Sequence, residues 1–231
     1  TITSNAAIFK HLTFDGTNGE WTLQDAVHVD GNLTITHGTL AAGANSITIA
    51  GNFTNRATFT TSGTVTFDDN SQISYIYGTT FYNLTCTTPG KQLTFEAGST
   101  ETIQNELTLT GAEGNLIVLR STVEDTQWNI DPQGEIDVSF VDVQDSVNLN
   151  GVYIDPPDSQ DSGNNIYWFS SSGGGGGDND DKKWDKPWDE NEEEEKPEQY
   201  YEENISLEEG EDLVSYEEEG GYEKDYPPGE Y

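Results

Sequence analysis

Side chains that could carry out acid–base chemistry are sparse before residue 170 of this 231-residue chain. Asp68 and Asp69 form the only adjacent pair of aspartates there, within a run, Asp68-Asp69-Asn70-Ser71, that is typical of a turn. Glycoside hydrolysis needs two carboxylates that face each other across the scissile bond, one of them with a raised pKa. We therefore predict that the protein is not an enzyme, and keep a polysaccharide-degrading enzyme as an alternative.

The histidines and the one cysteine do not form a recognisable reactive group. His11, His28 and His37 are separated and fall on different positions of the strand pattern, which argues against a metal cluster. His28 alternates with two valines, so we expect it to point outward. Cys86 takes the position of Phe67 in the preceding repeat, which predicts a buried thiol.

Two acidic clusters offer the oxygen ligands that Ca²⁺ prefers. One lies in a proline-containing loop and the other follows a run of glycines, and neither matches an EF-hand. The sequence favours solvated acids and leaves weak calcium sites as the alternative, with no other cofactor predicted. The candidate ligands are Asp155, Asp158, Asp161, Asp178, Asp180 and Asp181.

The net charge restricts the partners. The chain has 9 Lys and Arg against 43 Asp and Glu, a formal charge of -34. Nucleic acids and anionic membrane surfaces are recognised by basic patches, so neither is expected as a partner. An apolar run of about 18 residues is also missing, which argues against direct membrane insertion. Because Met is absent and the chain begins at Thr1, we expect a processed, exported protein or the edge of a fragment.

Composition divides the chain into three parts. We predict a β-helix domain over residues 1–169, a Ser/Gly linker over 170–177 and an acidic tail over 178–231. The tail holds 23 acids and 5 Lys, which is typical of a disordered segment. Its many aromatic residues leave open that it docks on its own domain or on a neighbouring subunit.

Short strands recur about every 20 residues in the first part. Each strand alternates apolar and polar residues, and two series of apolar positions share this period. One series is Leu12, Leu33, Phe53, Ile73 and Leu93; the other is Val27, Ile47, Val65, Leu84, Leu107, Trp128 and Val147.

Two interleaved series with one period predict an all-β, single-stranded, right-handed parallel β-helix of seven or eight rungs. The first series would form a ladder inside the core, and Thr13, Thr34, Thr54, Ser74 and Thr94 a hydroxyl ladder outside it. Glycines at the rung corners, such as Gly31, Gly51 and Gly78, are expected to supply positive φ angles. A β-sandwich is the alternative, but it gives no reason for like residues to stack on like.

Residues 81–169 resemble β-helix modules of large secreted and cell-surface bacterial proteins. The similar stretches are Phe81-Tyr82-Asn83-Leu84-Thr85, Leu93-Thr94-Phe95-Glu96-Ala97-Gly98, Leu107-Thr108-Leu109-Thr110-Gly111, Leu119-Arg120-Ser121-Thr122, Val141-Asp142-Val143-Gln144-Asp145-Ser146 and the end of the segment, Asp161 to Phe169. The resemblance implies a parallel β-helix at the cell exterior and implies no catalytic residues. The acidic tail lies outside it.

Exposed backbone at the ends of a β-helix must be capped or paired. We therefore predict an extracellular structural protein that self-associates into a homo-oligomer, filament or layer, with a surface adhesin or glycan-binding module as the alternative. The residues predicted to cap the ends or to join subunits are Ile2, Ile8, Phe9, Tyr167, Trp168, Phe169, Trp184 and Trp188. Four asparagines have the form of glycosylation acceptors, namely Asn32, Asn52, Asn83 and Asn204.

Overall fold

The computed structural model describes residues 1–170, which contain β-strands and no α-helix. Parallel strands stack about 20 residues apart and form a β-solenoid of about eight turns. The predicted all-β class, parallel arrangement and rung length are confirmed. The rest of the predicted linker, from Ser171 onward, and the predicted tail lie outside the described residues.

Most of the strands have two to five residues, whereas the three that begin at Leu12, Leu33 and Thr100 have 11 each. In chain order they are β1 (Ile8–Phe9), β2 (Leu12–Thr22), β3 (Val27–Val29), β4 (Leu33–Gly43), β5 (Ile47–Ile49), β6 (Phe53–Asn55), β7 (Thr58–Thr61), β8 (Thr64–Phe67), β9 (Ile73–Tyr77), β10 (Thr80–Cys86), β11 (Gln92–Phe95), β12 (Thr100–Thr110), β13 (Ile117–Ser121), β14 (Trp128–Pro132), β15 (Glu135–Ser139), β16 (Val141–Val143), β17 (Ser146–Asn148) and β18 (Gln160–Asp161).

Two parallel sheets face each other across the core. The first follows the order β1-β3-β5-β8-β10-β12-β14-β17, and β15 also pairs with β12. The second follows β18-β16-β13-β11-β9-β6-β4-β2, and β7 also pairs with β4. Strands buried on one face show the alternation that the sequence displays, as in β3 and β5.

The first predicted ladder holds for three rungs and then shifts. Leu33 pairs with Leu12 and with Phe53, but the next partner of Phe53 is Ile76 rather than Ile73. Ile73 is 44% exposed, so its predicted place in the core is wrong. The pattern of β9 admits either face inward, and the face that carries Ser74 and Ile76 is the buried one.

The same shift changes the predicted hydroxyl ladder. Thr13, Thr34 and Thr54 pair in register as expected. Ser74 instead faces inward, where its hydroxyl donates to the Gly51 carbonyl at 2.6 Å, and Thr94 pairs with Tyr75. An inward serine is tolerated because this hydrogen bond satisfies its buried hydroxyl.

The second predicted ladder is confirmed from Val27 to Leu107 and is wrong beyond it. Leu107 pairs with Ile136, whereas Trp128 pairs with Ser146. The cause is the length of β12, whose first part pairs with β14 and whose last part pairs with β15. Two short strands therefore take the place of one, and the interval between equivalent residues changes.

Aromatic rings fill the core near its C-terminal end. The ring of Trp128 stacks on that of Phe95 at 3.9 Å between centroids and lies 6.3 Å from that of Trp168. The Trp168 indole N–H donates to the Ser146 hydroxyl at 2.7 Å, which satisfies the one polar atom of a fully buried side chain. Cys86 is buried as predicted, and burial raises the pKa of its thiol to about 11, which leaves it unreactive.

Lys91 is a fully buried cation that fastens three turns of chain together. Its ammonium donates to the carbonyls of Ala50 at 2.8 Å, Asp69 at 2.9 Å and Gln72 at 3.0 Å. These three bonds use all three donors of the ammonium group. Burial lowers the pKa of Lys91, and the carbonyl cage compensates for part of the lost hydration.

The corner glycines serve a different purpose from the predicted one. Gly31, Gly51 and Gly78 do not have positive φ angles. A Cβ atom at Gly31 would lie 2.3 Å from the Lys10 carbonyl oxygen, and one at Gly51 would lie 2.8 Å from the Gly31 carbonyl oxygen. Glycine is needed at these two corners because successive rungs approach each other with backbone against backbone.

We expect Gly31→Ala to destabilise the protein by about 2 kcal/mol or more, because the added methyl group must displace the backbone of the preceding rung. Gly78→Ala is the matched control, since its Cβ would lie 3.5 Å from the nearest atom, an ordinary contact. Urea unfolding of both variants measures the free energies. Equal stability of the two variants would show that the close approach at Gly31 is not limiting.

Candidate functional site

The N-terminal end of the solenoid is partly covered by the start of the chain. Ile2 forms a parallel bridge with Leu23, and Ile2 and Phe9 pack against the core while remaining half-buried. Ile8 is 59% exposed beside them. Within residues 1–170, β2 is the last strand of its sheet and pairs with β4 of the following rung. Its other edge therefore faces away from the stack.

At the C-terminal end, the predicted residues Tyr167, Trp168 and Phe169 have different roles. Trp168 is completely buried in its own chain, so it closes the last rung and is not available to another subunit. Of the two roles predicted for Trp168, capping the end or joining subunits, its burial supports capping. Phe169 packs partly buried against the core, and Tyr167 remains 40% exposed. Trp184 and Trp188 lie outside the described residues.

Tyr167 belongs to a group of exposed apolar side chains that we call the end patch. Its members are 40–67% exposed and are Leu149, Val152, Tyr153, Ile166 and Tyr167. The rings of Tyr153 and Tyr167 meet edge to face at 5.4 Å. Contiguous groups of exposed apolar side chains often mark surfaces that bind another molecule.

Asn148 holds the two segments of the end patch together. Its side-chain amide donates to the carbonyls of Val152 at 2.8 Å and Tyr167 at 3.3 Å, and its backbone N–H donates to Ile166 at 3.0 Å. The patch is thus built on an ordered frame. Sequence reasoning found Tyr167 alone, because the other members lie in a segment without strand periodicity.

The predicted calcium ligands near this end are engaged with neighbouring groups. Asp155 accepts a hydrogen bond from the Ser170 backbone at 2.6 Å, and Asp161 accepts from Gly163 and from the Asn165 side chain. Asp158 is exposed in the same loop. Among residues 1–170 no three acidic, His or Cys side chains form a group that could hold a metal. Asp178, Asp180 and Asp181 lie outside the described residues, and calcium binding stays a prediction.

A shallow groove of about 300 Å³ runs over the outer face of the second sheet. Tyr75, Thr94 and Arg120 pair side by side along it on successive rungs. Arg120 is held by Asp142 through a 2.6 Å ion pair. The remaining lining side chains are polar or acidic and are Gln92, Ser121, Thr122, Glu124, Gln144 and Asp145. The tyrosine ring can stack on a sugar, and the amides, hydroxyls and guanidinium group can hydrogen-bond to the hydroxyl groups of that sugar.

A second polar group lies at a corner near the N-terminal end. His28 points outward as predicted, and its Nε2 lies 3.4 Å from Asp30 and 3.9 Å from Asp68. Sequence reasoning missed this grouping because Asp68 lies two rungs beyond His28 and Asp30. Asp69, in contrast, accepts hydrogen bonds from Ser71 and Gln72, and these lower its pKa to about 2. A general acid requires a raised pKa, so Asp69 is unsuited to that role.

The glycosylation candidates take part in contacts between rungs. The side-chain oxygen of Asn32 accepts the N–H of Asn52 at 3.1 Å, and that of Asn52 accepts the N–H of Tyr75 at 3.0 Å. The Asn83 amide donates to Thr64 at 3.2 Å. Glycosylation of these half-buried residues stays a prediction, and Asn204 lies outside the described residues.

Glu101 is a buried carboxyl group that sequence reasoning missed. It accepts the Thr79 backbone N–H at 2.9 Å, and the Ser99 hydroxyl lies 3.2 Å from its other oxygen. Burial raises the pKa of Glu101 from 4.5 to about 7, and the nearby charge of Glu96 acts in the same direction. The sequence did not reveal this burial, because Glu101 lies between Thr100 and Thr102 in a strand. An acidic residue usually marks an exposed position of a strand.

No family model matches the sequence, and no curated protein or solved structure matches it either. Within residues 1–170 there is no helix long and apolar enough to cross a membrane. Among residues 1–170, the end patch and the groove are the two surfaces whose geometry suits binding.

We predict that Glu101 makes stability fall as pH rises. The folded state keeps a proton that the unfolded state loses above about pH 4.5, so the loss grows up to about pH 7 and reaches about 3 kcal/mol. Glu101→Gln should remove this loss, because its amide can accept from Thr79 and donate to Ser99. The difference in unfolding free energy between variant and wild type should thus increase from pH 4.5 to pH 8.

Glu113→Gln is the control for this prediction, because Glu113 is exposed. Its difference curve against the wild type should be flat over the same pH range. A flat curve for Glu101→Gln as well would mean that Glu101 is ionised in the folded protein at neutral pH.

Proposed function

We propose that this protein is a non-enzymatic, extracellular structural protein that self-associates end to end. The end patch is the observation that carries the proposal. It places two tyrosines and three aliphatic side chains, all at least 40% exposed, on the last rung of a solenoid. The extracellular location is supported by the resemblance of residues 81–169 to secreted modules and by the acidic composition.

Solenoid ends are suited to association because their strands are already spaced for another rung. A parallel sheet adds strands about 4.8 Å apart, and the outer edge of β2 offers the first rung of one copy to the last rung of another. Such a contact joins two different surfaces. It therefore produces open filaments unless the rotation between copies closes a ring.

Charge opposes this association at low ionic strength. Residues 1–31 contain four acids and Lys10, and residues 141–170 contain five Asp with no Lys or Arg. Two acidic ends repel each other over about 30 Å in about 0.01 M salt, but over only about 10 Å in about 0.1 M salt. Added salt or a divalent cation that bridges the carboxylates should therefore favour the contact between apolar surfaces.

We expect the full chain to form oligomers or filaments whose amount rises with salt and with Ca²⁺. Combining Tyr153→Ser with Val152→Ser should weaken association roughly tenfold or more, because two apolar side chains leave the contact. Sedimentation velocity and negative-stain electron microscopy measure this. Tyr75→Ser, a similar change in the groove, is the control and should leave association unchanged. A protein that stays monomeric at high concentration in both salts would exclude the proposal.

The groove supports a second candidate function, the binding of glycans at a surface. Its ring, Tyr75, is 37% exposed and lies beside polar side chains that line the same groove. The acids Glu124 and Asp145 line the same groove, which disfavours acidic glycans and favours neutral ones.

Neutral oligosaccharides should bind in this groove with an affinity that Tyr75→Ala lowers about fivefold to tenfold, because the stacking ring is lost. A glycan array followed by calorimetry on the best ligand measures the effect. Tyr153→Ser in the end patch is the control and should keep wild-type affinity. An array without signal at high protein concentration would rule out this function.

A further inference from the structure

We propose that end-to-end association pairs Lys10 of one copy with Asp158 of the next, and that this ion pair makes the N-terminal end of one solenoid meet the C-terminal end of another. The inference rests on the proposed function, since it names the charged residues at the same contact and the polarity that they impose. Both residues lie in the described solenoid, at opposite ends of one of its corners.

This corner runs through the solenoid from the first rung to the last. Each rung contributes a few residues to it, and each contribution bonds to or packs against a neighbouring one. The contacts that connect the corner, in order along the stack, are Lys10 with Gly31, Gly31 with Gly51, Ala50 with Lys91, Lys91 with Val118, Ile117 with Phe140, and Phe140 with Pro157. The corner therefore begins at Lys10 and ends beside Asp158.

Lys10 is the one exposed Lys or Arg of residues 1–170 that has no acidic partner there. Arg56 and Arg120 each hold a carboxylate, at 3.3 Å and 2.6 Å, and Lys91 is buried among carbonyls. An exposed ammonium without a carboxylate near it can pair with an acid of another molecule. Lys10 is thus the cation that the first rung offers to a partner.

An open recess beside Lys10 adds apolar surface to this charge. The recess has a volume of about 510 Å³, and its lining includes Lys10 and Ile8, which is 59% exposed. Asp30 also lines the recess, but it lies 3.4 Å from the His28 imidazole and forms no ion pair with Lys10. A second copy can therefore bury Ile8 and pair with Lys10 in one contact.

The last turn of the same corner is acidic. Asp158 is exposed there and lines a recess of about 430 Å³ together with Glu113 and Phe140. None of the side chains that line this recess is a Lys or Arg. Asp158 also follows Tyr153 of the end patch by five residues, in the loop before β18. The acid and the apolar patch are therefore presented at the same end of the solenoid.

Asp158 is the acid of this end that is left for a partner. The other four Asp of residues 141–170 accept an ion pair or hydrogen bonds from their own chain. The Asp158 carboxylate has no such bond within residues 1–170. Its charge is therefore available to a cation from outside the molecule.

Opposite signs at the two ends of the corner favour one direction of contact. When unlike ends meet, Lys10 faces Asp158, whereas like ends would bring two Lys10 or two Asp158 side chains together. An exposed ion pair adds little affinity. The burial of Ile8 and of the end patch therefore supplies the affinity, and the ion pair selects the polarity.

The test reverses the charges on the full chain in about 0.1 M salt, where charges more than about 10 Å apart are largely screened. Lys10→Glu and Asp158→Lys should each weaken association about tenfold, because like charges then face each other. The two changes in one chain should restore most of the wild-type association, because the signs are opposite again. Sedimentation velocity measures all four proteins.

Asp125 supplies the matched control for the restored pair. Asp158 has a φ of 54°, which strains a Lys placed there, and the exposed Asp125 has a φ of 61°. Lys10→Glu with Asp125→Lys therefore has the same net charge and the same kind of strain as the double reversal. It should associate as weakly as Lys10→Glu alone. Restored association in this control would overturn the inference, because net charge would then explain the effect.

A second set of variants avoids the strained backbone. Lys10→Gln and Asp158→Asn should each weaken association about threefold, and the two together should also weaken it about threefold, because one pair is lost only once. In about 1 M salt all three should associate as the wild type does. Effects that multiply to about ninefold in the double variant would show that the two residues act independently, and would overturn the pair.

The two proposals fail in different measurements. If the wild type stays monomeric at high concentration, end-to-end association fails and the ion pair fails with it. If association depends on Val152 and Tyr153, but the double reversal associates no better than Lys10→Glu alone, end-to-end association stands and the pairing of Lys10 with Asp158 fails.

Discussion

The fixed distance between stacked backbones is the constraint on which the rest of this structure depends. Each rung bonds to the one before it through parallel strands, and at the corners the chains touch so closely that Gly31 cannot carry a methyl group. Side-chain oxygens of Asn32 and Asn52 continue the same bonding where strands stop, by accepting the N–H of the next rung. Every inward residue is therefore held above an equivalent residue, and the core grows as columns of side chains rather than as a layer between independent elements.

A core built of such columns has few positions for polar side chains. The polar side chains that are buried there show which hydrogen bonds compensate for their lost hydration. Three carbonyls surround the Lys91 ammonium group, whereas the Glu101 carboxyl group accepts one backbone N–H, that of Thr79, and burial raises its pKa to about 7. The difference follows from the corners. At a corner, backbone carbonyls that a strand would have paired can point inward, where they accept hydrogen bonds from a cation. A carboxylate needs N–H donors instead, and parallel strands already use theirs in pairing with each other.

The sequence predicted the features that repeat and missed those that interrupt the repeat. The period, the parallel arrangement and the columns from Val27 to Leu107 follow from like residues at like intervals, which one sequence displays in full. The shift at Ile73 was hidden because β9 alternates on both faces, so that hydrophobicity does not choose between them. Long-range partners were equally hidden. Nothing near Lys91 in sequence identifies the carbonyls that it meets, and nothing near His28 identifies Asp68, because these partners lie one or two rungs away.

Under the proposed end-to-end association, something other than the geometry of the rungs must set the length of the stack. Trp168 closes the core, yet Tyr153 and Tyr167 stay exposed on the outer surface of the last rung. Covering the core therefore does not cover the apolar side chains outside it. Residues 141–170 contain five Asp, and only Asp142 of these pairs with a cation, Arg120, so another acidic surface is a poor partner for this end at low ionic strength. In the proposed association, charge would therefore discriminate between partners while the burial of apolar side chains would supply the affinity. Ionic strength changes the charge interaction much more than the burial of apolar surface, so varying the salt concentration separates the two effects.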